Sequence, residues 1–176
     1  MAEPLILTGA SSGVGRSLAD HLAGDFHVLA LARRIDRMKE LFDHREYITP
    51  YELDLDNLSD VRPTGKELRT DHGPILHLIN NAGVNIGGEI TDLTVDKILT
   101  SVRINAIAPL LLLKGVLPDM EEANFGRVIN VTSGAPLNFP KGAAAYTGSK
   151  SLLNAFTVTA AKEWSEYNIK INLMSP

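Results

Sequence analysis

The chain has 176 residues, of which 44% are hydrophobic and 22% charged, the profile of one soluble globular domain spanning residues 1–176. A net charge of −4 and the lack of any Lys/Arg run longer than two residues argue against nucleic acid or an anionic membrane as partner. The absence of cysteine excludes disulfides, zinc-thiolate sites and a cysteine nucleophile. The five histidines lack metal-ligand spacing, so no metal is expected. The N-terminal segment does not resemble a signal peptide, and we expect a cytoplasmic, reducing location.

Short apolar runs alternate along the chain with longer amphipathic segments. In chain order the pattern predicts a strand at 5–7, a helix at 14–22, a strand at 28–32, a helix at 35–42, a strand at 48–53, a helix capped by Asn57 or Ser59 and reaching about 70, a strand at 75–79, a helical region at 94–120 with a kink at Pro109, a strand at 128–131, a helix at 144–166 and a strand at 169–174. Alternating strands and helices predict an α/β fold, a doubly wound parallel sheet of the Rossmann type. Ligands of such sheets bind beyond the carboxyl ends of the strands.

A glycine-rich segment follows the first predicted strand, and it reads Thr8-Gly9-Ala10-Ser11-Ser12-Gly13-Val14-Gly15. Gly9 permits a tight turn, Gly13 lets a pyrophosphate approach the backbone, and Gly15 lets the following helix pack closely on the sheet. The amides at the helix N-terminus then face the anion. A glycine-rich turn without a ligand is the alternative, and the position after the first strand disfavours it.

A tyrosine and a lysine lie four residues apart in the last long helix, as Tyr146 and Lys150, with Ser133 upstream at the end of an apolar run. Positions i and i+4 share one helix face, so the phenol and the ammonium can point into the same cleft. A free phenol gives up its proton poorly at neutral pH, and a nearby fixed cation favours the phenolate. The pair therefore predicts a general acid/base, although a packed Tyr beside a solvated Lys is the alternative for this spacing alone.

Two further motifs complete a recognisable set: Asn80-Asn81-Ala82-Gly83 follows the fourth strand, and Asn105 lies in the long helical region. Together with the glycine-rich segment, Ser133 and the Tyr/Lys pair, they resemble the short-chain dehydrogenase/reductase family, in its single-domain oxidoreductase subgroup. The resemblance is collinear and covers all 176 residues. It implies NAD(P)-dependent hydride transfer between nicotinamide and a small-molecule carbonyl or secondary alcohol. The cofactor-binding residues that it implies are Gly9, Ser11, Ser12, Gly13, Val14, Gly15, Arg33, Arg34, Asp54, Asn80, Asn81, Ala82, Gly83, Tyr146 and Lys150.

The resemblance also implies four catalytic residues. Tyr146 delivers or removes a proton at the substrate oxygen. Lys150 favours the Tyr146 phenolate and hydrogen-bonds the nicotinamide ribose. Ser133 hydrogen-bonds the substrate oxygen, and Asn105 supports a bound water that links Lys150 to solvent. Donors aimed at the oxygen fit the chemistry, because hydride transfer to a carbonyl builds negative charge there.

Cofactor preference depends on the segment Ala32-Arg33-Arg34, which ends the second strand beside the adenosine ribose. It contains no carboxylate, and a guanidinium can pair bidentately with a 2′-phosphate. We therefore expect NADP(H) in preference to NAD(H), with arginines solvated at a helix start as the alternative. Ser12 occupies a position that is basic in many NADP-preferring relatives. Asp54 resembles the residue that contacts the adenine amino group, or it is a turn residue.

Two other enzyme classes are less well supported. A Ser-His-Asp hydrolase would need a G-x-S-x-G elbow, and Thr132-Ser133-Gly134 lacks the preceding glycine. A sugar-nucleotide epimerase or dehydratase also uses Y-x-x-x-K, but such relatives usually have a different glycine spacing and a longer chain. The loop at 134–143 contains Pro136, Leu137, Phe139 and Pro140, which favours an apolar substrate.

The last residue is Pro176, where relatives usually continue with nicotinamide-binding residues, a substrate-covering lid and a seventh strand. We therefore expect the sixth strand to be a sheet edge and the site to lack its lid. A truncated dinucleotide-binding, non-catalytic sensor or interaction protein stays open as an alternative. The two long helices resemble the family's dimer surface, which implies a homodimer.

Overall fold

Six parallel strands form a single sheet in the computed structural model, which describes residues 2–176. The strand order is β3-β2-β1-β4-β5-β6, so the direction of winding reverses between β1 and β4. Every neighbouring pair is parallel, and β6 lies at one edge, as expected. The strands are β1 (Glu3–Thr8), β2 (Phe26–Ala32), β3 (Ile48–Glu52), β4 (His77–Asn80), β5 (Gly126–Val131) and β6 (Ile169–Met174). This is the predicted doubly wound Rossmann fold.

The helices are α1 (Gly13–Leu22), α2 (Ile35–Phe42), α3 (Leu58–His72), α4 (Val95–Val102), α5 (Ala108–Glu122), α6 (Ala135–Asn138) and α7 (Ala144–Glu163). A 3₁₀ turn, Ile90–Asp92, precedes α4, and a π-helical turn, Arg103–Ile107, joins α4 to α5. Most helix and strand bounds agree with the sequence within a few residues, and Asn57 is the N-cap position of α3. The sequence did not predict α6 or the 3₁₀ turn.

Both faces of the sheet are covered by helices, which accounts for the continuously apolar strands. Successive residues of β1 enter opposite cores: Ile6 packs with Leu29 and Leu78 on one face, while Leu5 and Leu7 pack on the other. Helices α3, α5 and α7 contribute to the first core, and α1 and α2 to the second. The carboxyl ends of β1 and β4 are thereby fixed side by side at the reversal point.

The irregularity expected at Pro109 takes the form of the π-helical turn directly before it. Proline has no N–H to donate to the carbonyl four residues earlier, so a wider turn is accommodated there. By length and composition alone, the helical run Val95–Glu122 could cross a membrane. Its apolar character is explained by packing, because Leu112, Val116 and Met120 are fully buried in the core.

Candidate dinucleotide and active site

The glycine-rich turn lies between β1 and α1 at the point where the strand order reverses. Gly9 has a φ of +73°, a value that favours glycine, and its N–H donates to the Leu31 carbonyl over 2.8 Å. A Cβ on Gly15 would lie 2.3 Å from the Gly9 carbonyl oxygen and 2.5 Å from Asn81 Nδ2. The turn and the start of α1 therefore have room only for glycine at these two positions.

The N-terminus of α1 is open toward the same region. Its N-cap residue, Ser12, makes no side-chain capping hydrogen bond, and the first turn contains no acidic residue. Gly13 has a φ of +54°, and no atom lies within 4 Å of a Cβ built there. The first amides of a helix lack acceptors within the helix and carry a partial positive charge, so they are available to an anion. A pyrophosphate group fits this opening.

A cleft of about 280 Å³ runs from the turn across the ends of β1, β2, β3 and β4. Most of the predicted cofactor-binding residues line it, namely Gly9, Ser11, Ser12, Val14, Gly15, Arg33, Arg34, Asp54, Asn81, Ala82 and Gly83. The sequence did not predict the apolar residues that line it, because their pattern is that of ordinary core residues. They are Leu31, Leu53, Leu55, Val84 and Ile104. The cleft thus combines apolar walls with polar groups, which suits a nucleotide base and its phosphates.

Asn80, unlike the three residues that follow it in the motif, does not line this cleft. It is 2% exposed, and its Nδ2 donates to Asn130 Oδ1 over 2.8 Å and to the Pro109 carbonyl over 3.4 Å. Asn130 in turn donates to Thr157 Oγ1 over 2.8 Å. Because its amide points into the sheet and not toward the cleft, Asn80 links β4 to β5 and α7.

Two arginines occupy the rim of the cleft at the end of β2. Both are exposed, and Arg34 donates to Ser11 Oγ over 3.2 Å. Arg33 makes no hydrogen bond or ion pair within residues 2–176. Two acidic side chains follow β3: Asp54 Oδ1 accepts the Asp56 N–H, and Asp56 pairs with Arg103 over 2.6 Å. The Arg33 guanidinium is therefore available to an anionic ligand at the rim.

The Asp56–Arg103 pair connects this rim to the π-helical turn. The hydrogen bond from Arg103, aided by that of Thr100 and by the positive charges of Arg103 and Arg33, lowers the pKa of Asp56. Thr100 Oγ1 donates to Asp56 Oδ2 over 3.3 Å. Arg103 lies two residues before Asn105, so the pair ties the loop after β3 to the helix that carries the predicted catalytic asparagine.

Lys150 and Asn105 converge on the backbone of Gly83. A Cβ on Gly83 would lie 3.3 Å from Lys150 Nζ and 3.2 Å from Asn105 Oδ1. Lys150 is 3% exposed, its Nζ donates to the Val131 carbonyl over 2.8 Å, and burial lowers its pKa to about 8. An ammonium has three N–H donors, so two remain for other acceptors. The structure brings these two predicted residues together.

Asn105 is fully buried in the middle of the π-helical turn. Its Oδ1 accepts the Val84 N–H over 2.8 Å, and its Nδ2 donates to the Val84 carbonyl over 2.8 Å. Because both bonds go to one residue of the loop after β4, Asn105 fixes the backbone that follows Gly83.

Tyr146 and Ser133, the other two predicted catalytic residues, are both partly exposed. Tyr146 is half-buried in the first turn of α7, and its phenol makes no hydrogen bond within the described residues. Ser133 Oγ accepts the Ala135 N–H over 3.1 Å, a bond that leaves the hydroxyl proton of Ser133 unused. Both side chains therefore keep an O–H to offer a substrate.

Known proteins of one family match nearly the whole chain. The family model described as short chain dehydrogenase matches residues 4–176. The NADP-dependent 3-hydroxy acid dehydrogenase of Schizosaccharomyces pombe is 30% identical over 180 residues, covering 98% of this chain and 70% of that protein. The chain belongs to the short-chain dehydrogenase/reductase family.

Solved structures of the family superpose closely on this fold. A metagenomic short-chain oxidoreductase in complex with NADP gives a TM-score of 0.92 at 29% identity, covering 99% of this chain and 81% of that one. 4-Hydroxyisoleucine dehydrogenase complexed with NADH gives 0.92 at 26% identity, covering 99% and 72%. Several curated relatives are much longer, and the chain spans only 57%, 56% and 65% of three of them.

Proposed function

We propose that the protein is an NADP(H)-dependent oxidoreductase that transfers hydride between nicotinamide and a carbonyl or secondary alcohol, with Tyr146 as the general acid/base. The observation that supports this most strongly is the convergence of Lys150 and Asn105 on Gly83. A buried cation, an amide and a cleft that suits a nucleotide base and its phosphates then lie at one edge of the sheet. The family, whose members act on small molecules as oxidoreductases, supports the same chemistry.

Bound nicotinamide would supply or accept the hydride, and this chain's residues would handle the proton. In the reductive direction, the Tyr146 O–H protonates the substrate oxygen while the Ser133 O–H donates to the same oxygen. The phenolate that remains is stabilised by the Lys150 ammonium, whose attraction is strong because the group is removed from water. Tyr146 recovers its proton from solvent before the next turnover.

The preference for NADP(H) rests on Arg33 and Arg34 at the cleft rim. A 2′-phosphate placed there would meet the Arg33 guanidinium, which makes no ion pair within residues 2–176, whereas Asp56 is paired with Arg103. The name of the S. pombe relative also specifies NADP. The structural neighbour with NADH shows that the same fold accommodates either cofactor, so the preference for NADP(H) is argued from the rim residues and not from the fold.

The proposal is tested by NADPH fluorescence titration followed by a screen of aldehydes, ketones and 3-oxoacyl substrates. We expect micromolar-range binding and turnover, with Tyr146→Phe lowering kcat by about a thousandfold or more and leaving NADPH affinity unchanged. Tyr47→Phe is the matched control, because Tyr47 is exposed and its phenol has no hydrogen bond within residues 2–176. Tight binding without turnover on any substrate would instead favour the non-catalytic dinucleotide-binding protein.

We also propose a homodimer formed through the long helices. Several apolar side chains of α4 and α7 are exposed in the single chain, namely Val95, Ile98, Leu99 and Val158. Light scattering should give twice the chain mass, and Val158→Glu should shift it to the monomer. A monomer at high micromolar concentration would contradict this assembly.

A further inference from the structure

Two buried hydroxyls lie beside the proposed active site without a role in the chemistry described above. Ser101 is in the last turn of α4, and Ser149 is in α7 between Tyr146 and Lys150. Both side chains are completely buried, and their Oγ atoms are 3.1 Å apart. A buried hydroxyl is costly unless its hydrogen bonds are made, so the partners of these two serines are informative.

Ser149 uses its full hydrogen-bonding capacity. Its O–H donates to the Tyr146 carbonyl over 2.8 Å. Its oxygen accepts from Asn105 Nδ2 over 2.9 Å and from the Ser101 hydroxyl over 3.1 Å. A serine has one donor and two lone pairs, so nothing is left over. One side chain thus connects the backbone of the proposed acid/base to the side chain of Asn105.

Ser101 strengthens the same junction from α4. It lies one helical turn before Asn105, whose Nδ2 is 3.3 Å from its Oγ. Its hydroxyl also lies 3.2 Å from the Ala145 carbonyl. The bonds of Ser101 and Ser149 together cross from α4 and the π-helical turn to the first two turns of α7.

The Tyr146 phenol and the Asn105 side-chain amide both need accurate placement. The Tyr146 phenol makes no hydrogen bond within the described part of the chain, so its position depends on the backbone of its own residue. Asn105 holds the Val84 peptide through both side-chain atoms, and that orientation is maintained by Ser149 on the other side of its amide. Small displacements of an acid/base from its substrate are costly to the rate.

We propose that Ser149, assisted by Ser101, is a positioning residue that fixes Asn105 and the Tyr146 backbone relative to each other. The inference rests on the proposed function, because it assigns the two serines to the same hydride-transfer site. A serine that bonds a carbonyl three residues back in a helix is common and local. The bonds from Asn105 and Ser101 are not local, since they join segments more than forty residues apart in the chain.

Ser149→Ala tests the proposal by steady-state kinetics. We expect kcat to fall by about tenfold or more while the KM for NADPH stays within about twofold, because neither serine lines the cofactor cleft. Ser149→Cys keeps a weak donor and should lie between Ala and wild type. Ser101→Ala should have a smaller effect, because Ser149 keeps its bond to Asn105. Thr64→Val is the control: Thr64 is 8% exposed and bonds the Asp60 carbonyl in α3, a helix that contributes no residue to the cleft lining.

Amide hydrogen exchange supplies a readout that does not need turnover. The Val84 N–H is bonded to Asn105 Oδ1, so its protection reports whether Asn105 is held in place. In Ser149→Ala we expect Val84 to exchange about tenfold faster relative to the amides of β1, whereas a purely structural role lowers all protection together. Ser101→Ala provides the same comparison if Ser149→Ala fails to fold.

The outcomes separate the two proposals. A lower kcat in Ser149→Ala, together with faster exchange of the Val84 amide relative to the amides of β1, supports the positioning role. Unchanged kcat relative to Thr64→Val, with uniform exchange, overturns it. If wild type binds NADPH but turns over no substrate, the proposed enzyme fails, and Val84 exchange still decides whether Ser149 fixes Asn105.

Discussion

The proposed adenosine end and the proposed catalytic end of the site are built in different ways. At the adenosine end the charged groups, Arg33 and Arg34, are exposed on a rim, and the backbone turn supplies most of the shape. At the catalytic end Lys150, Asn105 and Ser149 are buried and hydrogen-bonded to other elements. Exposed charges can change without disturbing the core, whereas the buried cluster depends on the packing of α4, α5 and α7. We therefore expect cofactor preference to be adjustable and the chemistry to be intolerant of substitution.

The largest effect is expected from Lys150→Met at the catalytic end. Removing the buried cation should lower kcat by about a thousandfold, because the Tyr146 phenolate loses its stabilising charge. The same change should stabilise the fold at neutral pH by about 1–3 kcal/mol, because a charged Lys150 is buried at a cost. Lys162→Met, at an exposed position on α7, is the control and should change neither quantity.

The pH dependence of that stability gain follows from the pKa of Lys150. Burial lowers the folded-state pKa from 10.5 to about 8, so between these values the unfolded chain binds the extra proton and wild-type stability rises with pH. The advantage of Lys150→Met should be complete below pH 8 and should vanish as the pH approaches 10.5. Urea unfolding of both proteins across this range measures it. A gain that does not change with pH would mean that the burial of charge is not its cause.

Gly15→Ala should have the next largest effect, and it acts on the backbone turn of the adenosine end. The new Cβ would lie 2.3 Å from the Gly9 carbonyl oxygen, so the turn must shift. We expect a stability loss of about 2–4 kcal/mol by denaturant unfolding, together with weaker NADPH binding. Gly148→Ala is the matched control, because no atom lies within 4 Å of its Cβ. It lies inside α7, so alanine there should be neutral or stabilising by up to about 1 kcal/mol.

Arg33→Ala, at the rim of the cleft, should have a smaller effect. The Kd for NADPH should rise by about tenfold, while the Kd for NADH should change by less than about twofold, because only the former carries the 2′-phosphate. Arg37→Ala, an exposed substitution in α2, should leave both values unchanged. An equal loss of affinity for both cofactors would remove the phosphate contact from the account.

Asp54→Asn should have the smallest effect of the series. Asparagine keeps the oxygen that accepts the Asp56 N–H, so the turn after β3 survives. The loss of a carboxylate acceptor for the adenine amino group should weaken NADPH and NADH alike, by about threefold. A selective effect on one cofactor, measured by the same titrations, would contradict an adenine contact.

The fold was predictable because its elements carry strong local patterns. The continuously apolar strands indicated a sheet buried on both faces, and α2 and β6 begin and end where the sequence placed them. The four-residue helix α6 was missed because it is too short for a periodic pattern and contains Pro136. The sequence predicted an irregularity at Pro109 but not its form, because the π-helical turn depends on how Pro109 and Asn105 are accommodated in one continuous helix.

The candidate site was predictable only where residues form motifs. The spacing of Tyr146 and Lys150 and the glycines after β1 predicted the two ends of the candidate site. The motif does not show into which side of the sheet the Asn80 amide points, so its bond to Asn130 could not be predicted. Ser101 and Ser149 had no sequence signal at all, because their contact exists only when α4 packs against α7.

Transfer of the label from NADPH deuterated at the transferred position to a carbonyl substrate tests the central claim most directly. Purified wild-type protein should yield an alcohol carrying one deuterium at the former carbonyl carbon, detected by mass spectrometry. Tyr146→Phe should bind the cofactor equally well and yield almost none. Label transfer that is undiminished in Tyr146→Phe, or an alcohol without the label, would contradict the account.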